Sequence, residues 1–246
     1  MDIERLEEII KEGKYDLHKK EDYLKSIMLP AIQITQANVF DQKGLSKYGG
    51  DPDVPKNFKW PKHQYDDYRF IAQFNLSEIP TANTLLPKKG MLSIFIAYDD
   101  ENNMSWTDKD YAKVFLFDID ENLEPYNNPN FPDKYFLDVV FKPEVDIPFK
   151  PELYKEKGLN KRQLAYVCDK VSDQTDKRYQ SYLLGYPFYN VLNEDPRESD
   201  DWISLLTLRS NSGFGLNWNN RGFLMLFIEK SRLEKCDFSN VKSNAG

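Results

Sequence analysis

Histidine and cysteine are almost missing from this 246-residue chain, with two of each. His18 lies among lysines and His63 beside Trp60-Pro61, so a zinc centre would have to draw its other ligands from scattered carboxylates, and no metal or other cofactor is expected. Cys168 and Cys236 stand apart with no Cys-x-x-Cys and no adjacent histidine. That argues against a disulfide or a metal ribbon, and small buried thiols are the expectation. Glycine is thinly spread as well. Gly49-Gly50 and Gly213-Phe214-Gly215 have neither the Gly-x-x-x-x-Gly-Lys nor the Gly-x-Gly-x-x-Gly spacing that aims several amides at a phosphate. No Gly-x-Ser-x-Gly elbow occurs, since Ser212 follows Asn211 instead of glycine.

Long apolar runs are also lacking. Met91 to Tyr98 and Phe223 to Ile228 fall far short of the ~20 residues that cross a bilayer, and the acidic start Met1-Asp2-Ile3-Glu4-Arg5-Leu6-Glu7-Glu8 is unlike a secretory leader. No membrane association and a cytoplasmic location are expected. Positive charge is in deficit: 33 Lys plus Arg against 40 Asp plus Glu leave a net charge of −7, opposite to what a duplex nucleic acid attracts, so nucleic acid is not an expected partner.

What the chain does have is apolar bulk. Forty per cent of its residues are hydrophobic, including 16 Phe, 15 Tyr and 4 Trp, enough for a sizeable core in one large globular unit. Ile3, Leu6 and Ile10 repeat at helical spacing ahead of Gly13, and a second helical stretch runs from about 16 to 28, where Leu29-Pro30 ends it. Ala31 to Thr35, Arg69 to Leu76, Gly90 to Tyr98, Lys113 to Asp118, Tyr135 to Phe141, Trp202 to Leu208 and Gly222 to Glu229 read as strands. Asn160 to Arg178 reads as a central helix covering a sheet. Between 46 and 61 the paired glycines and three prolines exclude regular helix and central strand, leaving an ordered loop held by its aromatics.

Sliding the chain past itself by 132 residues places Ile71 on Ile203, Leu76 on Leu208, Gly90 on Gly222, Leu92 on Leu224 and Phe95 on Phe227. A slide of 135 places Gly50-Asp51-Pro52 on Gly185-Tyr186-Pro187. An internal duplication is expected, with halves at about 46–142 and 180–241. The fold class is then α+β: two pseudo-repeated antiparallel β-rich halves in one globular unit, an N-terminal helical segment and a central covering helix.

Few residues suggest chemistry. Asp118-x-Asp120-x-Asn122 opens like a calcium loop but puts Leu123 where glycine belongs and Pro129 where glutamate belongs. The run Asp99 to Asn103 fails in the same way, with Met104 at the glycine position. Asp51 and Asp53 sit beside the paired glycines, where carboxylates could share acid–base work or simply form turns. The loop Ser210 to Arg221 combines small residues and amides with Trp218 as a flat face and Arg221 as an anion contact.

The run Ser46-Lys47-Tyr48-Gly49-Gly50-Asp51-Pro52-Asp53-Val54-Pro55, with Trp60-Pro61, Phe70 to Pro80, Leu86 to Leu92, Leu184-Gly185-Tyr186-Pro187, Trp218 to Gly222 and Asp237 to Val241, resembles the YwqG-like family, bacterial domains of unknown function. The resemblance spans most of the chain and implies one such domain over residues 1–246. Gln73 and Asn75 fit its pattern. Thr207 and Arg209 stand where its second half has glutamine and aspartate, and Asn219-Asn220 where it has Gly-Asp, so a polar site on that half is in doubt. Three functions are carried forward: a non-enzymatic binding or immunity-type protein with a protein partner; a small-molecule or glycan binder using Trp and Tyr platforms; and a metal-independent enzyme using Asp51, Asp53 or Gln73. Trp218, Arg221, Gln73 and Asn75 are the candidate binding residues, and none is assigned as catalytic.

Overall fold

The computed structural model describes residues 3–37, 43–80, 85–97, 103–130, 135–148, 158–175, 181–192, 195–211, 216–219 and 221–246. Ten strands form one sheet in the order β12 (Val241–Ala245), β11 (Phe223–Glu229), β10 (Trp202–Arg209), β9 (Ser181–Leu184), β1 (Leu29–Gln36), β8 (Phe136–Asp146), β2 (Lys47–Gly49), β4 (Arg69–Asn75), β5 (Met91–Ile96) and β6 (Ala112–Phe117). Every neighbouring pair is antiparallel. A separate ribbon pairs β3 (Asp53–Pro55) with β7 (Leu123–Pro125). The sheet curls until β12 and β6 lie against each other, and Ser243 Oγ donates to the Trp106 carbonyl across that seam at 2.7 Å. Curling follows from strand twist and hides the two edges that an open sheet would leave exposed. The molecule is thus β-rich α+β.

The inner face of the curl holds the main core, in which Ile34, Phe74, Leu92, Ile94, Leu183, Leu206, Leu224 and Leu226 are all buried. Alternation dictates this, because the residues between them along each strand face outward. The outer faces on either side of the central β1/β8 pair are covered by the chain's own loops. Phe188, Val191 and Leu192 pack on Trp202, Phe223, Met225 and Phe227 on one side. On the other, Phe58 packs tilted and Trp60 edge-to-face on Phe95, with centroids 5.9 and 5.2 Å away.

Two expectations need correction. The helix α3 (Lys161–Thr175) does not cover the sheet. Its Leu164, Tyr166 and Val167 pack with Ile9, Ile10, Leu17 and Leu24 of the N-terminal segment, which comprises α1 (Ile3–Lys11), the 3₁₀ turn Lys14–Lys20 and α2 (Glu21–Ser26). The sheet's outer faces are already occupied by loops, so the apolar stripes of the helices find one another. Asn160 starts α3 with a reciprocal cap: its Oδ1 accepts from the Gln163 amide and Gln163 Oε1 accepts from the Asn160 amide, both at 3.0 Å. The second correction is β2, which lies inside the sheet between β8 and β4, within the stretch read as loop. Its prolines all follow it, so Lys47 and Tyr48 keep the amides that a central strand needs. Short strands β3, β7 and β12 were not apparent from pattern either.

The two sides match in register. Reading outward from β1/β8, each side has a short strand, a bulged strand, a long hairpin partner and an edge strand, with bulges at Phe70/Ala72 and Ser204/Leu206. The short strands end in left-handed pairs, Gly49 and Gly50 at φ 65° and 71°, Leu184 and Gly185 at φ 60° and 71°. A Cβ at Gly185 would stand 2.6 Å from Asp146 Oδ2 and 3.1 Å from Ala31 Cβ. Gly185→Ala is therefore expected to lower unfolding stability by about 1–3 kcal/mol through strain and crowding together, measured by urea denaturation; an unchanged midpoint would show that the turn relaxes freely.

Candidate functional site

The polar residues of the first side gather in a row. Asp138 on β8 pairs with Lys47 on β2, Lys47 with Gln73 on β4, and Gln73 with Ser93 on β5. Direct cross-strand partners share a face, so four polar side chains stand side by side on the outer surface of the sheet. The left-handed turn at Gly49-Gly50 reverses the chain and brings Asp53 over them. None of the five is more than 6% exposed, and Asp53, Gln73 and Ser93 are fully buried.

Gln73 and Asp53 bind each other twice. The Asp53 amide donates to Gln73 Oε1 at 2.8 Å, and Gln73 Nε2 donates to Asp53 Oδ2 at 2.6 Å and to the Leu45 carbonyl at 2.9 Å. Asp53 Oδ2 also accepts from the Gly44 amide at 2.9 Å and lies 3.8 Å from Lys47 Nζ, too far for a hydrogen bond. Asn75 extends the network by donating to the Gly44 carbonyl at 2.9 Å, while its own amide donates to Ser46 Oγ at 2.7 Å. The Ser46 amide donates to Glu78 Oε2 at 3.3 Å. Burial, reinforced by the nearby Asp138 charge, pushes the Glu78 carboxyl above its ordinary range. Among the described residues, Asp53 Oδ1, Glu78 Oε1 and Ser93 Oγ are buried with no hydrogen-bond partner.

The matching row on the second side is different in kind. There Gln33, Tyr182, Thr207 and Met225 are successive partners, under a cover in which Phe188 lies 4.4 Å from Phe223. Tyr182 turns its hydroxyl to the Tyr186 carbonyl at 2.9 Å. One row carries charged residues; the other is uncharged, and it too holds a buried atom without a partner among the described residues, Thr207 Oγ1.

The sequence-derived candidates separate accordingly. Gln73 and Asn75 meet in one network, and Asp53, a candidate on other grounds, joins it. Asp51 is half-buried on the turn before Asp53. Trp218 does not offer the expected flat face: the ring is 2% exposed and belongs to the inner core. Its amide donates to Ser210 Oγ at 2.9 Å and its carbonyl accepts from the Gly222 amide at 2.7 Å, which turns the ring inward, away from the face that carries Gln73. Arg221 is exposed on the following turn. Ser212 to Gly215, Asn220 and the Asp99 to Asn102 part of the acidic run lie outside the described residues. Pattern reading missed Lys47, Ser93 and Asp138; a lone serine inside the apolar run Met91–Ile96 was the available signal. Among the described residues no group of three or more His, Cys, Asp or Glu is arranged to hold a metal.

The family described as Domain of unknown function (DUF1963) matches residues 46–245, and the chain belongs to it. No curated protein matches the chain.

Two measurements follow from this geometry. Trp218→Ala is expected to cost about 3–5 kcal/mol of unfolding stability, as deletion of a buried indole does; a loss under about 1 kcal/mol would place the ring outside the core. Glu78 holds its proton more tightly folded than unfolded, so ionisation opposes folding as pH rises through and above its ordinary value of 4.5. Glu78→Gln should therefore melt higher than the parent at pH 7 and lose that advantage near pH 3.5, in paired thermal scans. An equal difference at both pH values would remove the ionisation cost from the account.

Proposed function

We propose that this chain is a non-enzymatic cytoplasmic binding protein, YwqG-like within its family, built from two related halves at about 46–142 and 180–241, and that it recognises a small polar ligand at the row Asp138–Lys47–Gln73–Ser93 beneath Asp53. The observation that carries this reading is the pair of fully buried atoms Asp53 Oδ1 and Ser93 Oγ without partners among the described residues. A buried polar atom left unbonded costs about 1–3 kcal/mol, and folded proteins keep few without a bound water, ion or ligand to complete them. Where this row has Ser93 the matching row has Met225, so the fold does not need a polar residue at that position.

Duplication is supported by the shared strand order, the paired bulges and the left-handed pairs. It is further supported by a repeated contact: the Asn75 amide donates to Ser46 Oγ at 2.7 Å and the Arg209 amide to Ser181 Oγ at 3.1 Å. Against catalysis by Asp51, Asp53 and Gln73 stands the commitment of Gln73 and of Asp53 Oδ2 to the scaffold. An acid–base carboxylate must reach substrate, and these atoms hold the covering loop instead.

Equilibrium dialysis of the full chain against a mixture of polar metabolites, followed by mass spectrometry of what is retained, tests the reading. Ser93→Met, which installs the residue found in the matching row, is the comparison. Retention by the parent alone, at equal fold by circular dichroism, is expected; no retention by either, or equal retention by both, overturns the site, and a compound returned chemically altered would restore the enzymatic alternative.

A further inference from the structure

We infer that the Lys47 ammonium and the Asp53 carboxylate condense in the folded chain to an amide, a covalent cross-link across the turn at Gly49-Gly50. The inference does not rest on the recognition reading: the bond spends Asp53 Oδ1 and leaves Ser93 Oγ for a guest. The pair is sealed, with the Lys47 side chain 8% exposed and that of Asp53 not at all. Nζ stands 3.8 Å from Asp53 Oδ2 and has no hydrogen-bond acceptor among the described residues. A buried ion pair offsets its desolvation only when hydrogen bonds complete it, and none joins these two. Asp138, across the ladder from Lys47, already has a partner, so Asp53 is the carboxyl open to the amine.

The two oxygens of Asp53 are treated differently, as an acyl transfer requires. Oδ2 accepts from the Gly44 amide at 2.9 Å and from Gln73 Nε2 at 2.6 Å, and Gln73 is itself fixed by the Asp53 amide and the Leu45 carbonyl. Two fixed donors on one oxygen stabilise the negative charge that gathers there when an amine attacks the carbon. Oδ1 is buried with no partner among the described residues and is the oxygen free to leave. The step balances without any other reactant: Nζ–Cγ forms, Cγ–Oδ1 breaks, and two of the three ammonium protons depart with Oδ1 as water. Both buried charges and the unbonded oxygen disappear, while Oδ2 keeps its two bonds as the amide carbonyl. Holding the groups together supplies an effective concentration of about 10⁵ M or more, which offsets the ordinary preference for hydrolysis. The other side of the sheet shows what the link replaces. There Tyr182, which matches Lys47 in register, spans the turn at Leu184-Gly185 by donating its hydroxyl to the Tyr186 carbonyl at 2.9 Å. Lys47 reaches over its own turn in the same way but arrives at Asp53 without a hydrogen bond.

Mass spectrometry of the full chain, folded first and then denatured, reads the bond directly. The intact mass is expected to fall one water, about 18 Da, below the sum of the residues. Trypsin should release residues 44–56 as one peptide, light by the same water and uncut after Lys47. Lys47→Arg keeps the positive charge but cannot form this amide, so it should show the full mass and be cut after position 47. Should that variant fail to fold, the parent still decides, because its mass and its resistance at Lys47 are read on the denatured chain. A parent at full mass and cut after Lys47, even after prolonged warming in the folded state, overturns the inference. So does a light mass that persists in Lys47→Arg, which would put the lost water in an aspartate closed on its own backbone. The dialysis result is separate: a full-mass chain that retains a metabolite keeps the recognition site and loses the cross-link, and a light chain that retains nothing does the reverse.

Discussion

The reciprocal bonds between Gln73 and Asp53 hold the β2–β6 side of the sheet in shape. A glutamine in the middle of a buried strand would be costly if its amide went unbonded. Here each of its polar atoms meets backbone or carboxylate of the segment 44–53, so the strand position of Gln73 dictates where that segment must lie. The chain after β2 is thereby folded back over the sheet, and the aromatics that follow it, Phe58 and Trp60, reach Phe95. Trp60 fixes its ring by donating Nε1 to the Tyr68 carbonyl at 2.6 Å, which satisfies the one polar atom that burial would otherwise penalise.

The β9–β12 side of the sheet solves the same covering problem with an ion pair at the margin. Arg197 donates from Nε and Nη2 to the two carboxylate oxygens of Asp195 at 3.0 and 2.8 Å, and Nη2 donates also to the Tyr189 hydroxyl at 2.6 Å. Burial works against ionisation of Asp195, yet the guanidinium and amide of Arg197 hold its carboxyl below the ordinary range. Bidentate geometry of this kind fixes orientation as well as distance. The cover is anchored from its rim, so the strand residues beneath can be Met225, Phe227 and Trp202. On the β2–β6 side the anchor lies within the row, so charged residues stand in that row and not in its counterpart.

The helical segment is a separate piece of packing. Its core of Ile9, Leu17, Leu24, Leu164 and Val167 is built among helices and meets the sheet's end at Ile147. Gln163 Nε2 reaches the Tyr15 carbonyl at 2.8 Å, where the chain passes through left-handed conformations at Tyr15 and Asp16. The family match begins at Ser46 and so leaves out α1, α2 and also β1, although β1 is the strand that joins the two sides through β8 and β9.

Much of this was legible in the residues. Runs such as Phe70-Ile71-Ala72 and Phe223 to Ile228 can only be buried, and their lengths suit strands; Gly13 and Pro30 bound the N-terminal helices; the paired glycines mark a reversal; Gln73 and Asp53 stood out as polar residues in constrained places. Alternation along a strand says which residues share a face, but not which strand lies alongside. Register is decided by bulges, turn geometry and the fit of whole faces. Only the folded sheet could bring Lys47, Gln73, Ser93 and Asp138 into one row from four separated segments. The inward turn of Trp218 was hidden for the same reason: an indole in a loop of small and amide residues suits a surface as well as a core, and the bonds from Ser210 and Gly222 that settle it form when β10 and β11 pair. The helix α3 carries an amphipathic stripe in either arrangement, and its partner was chosen by which apolar surface the loops had left uncovered.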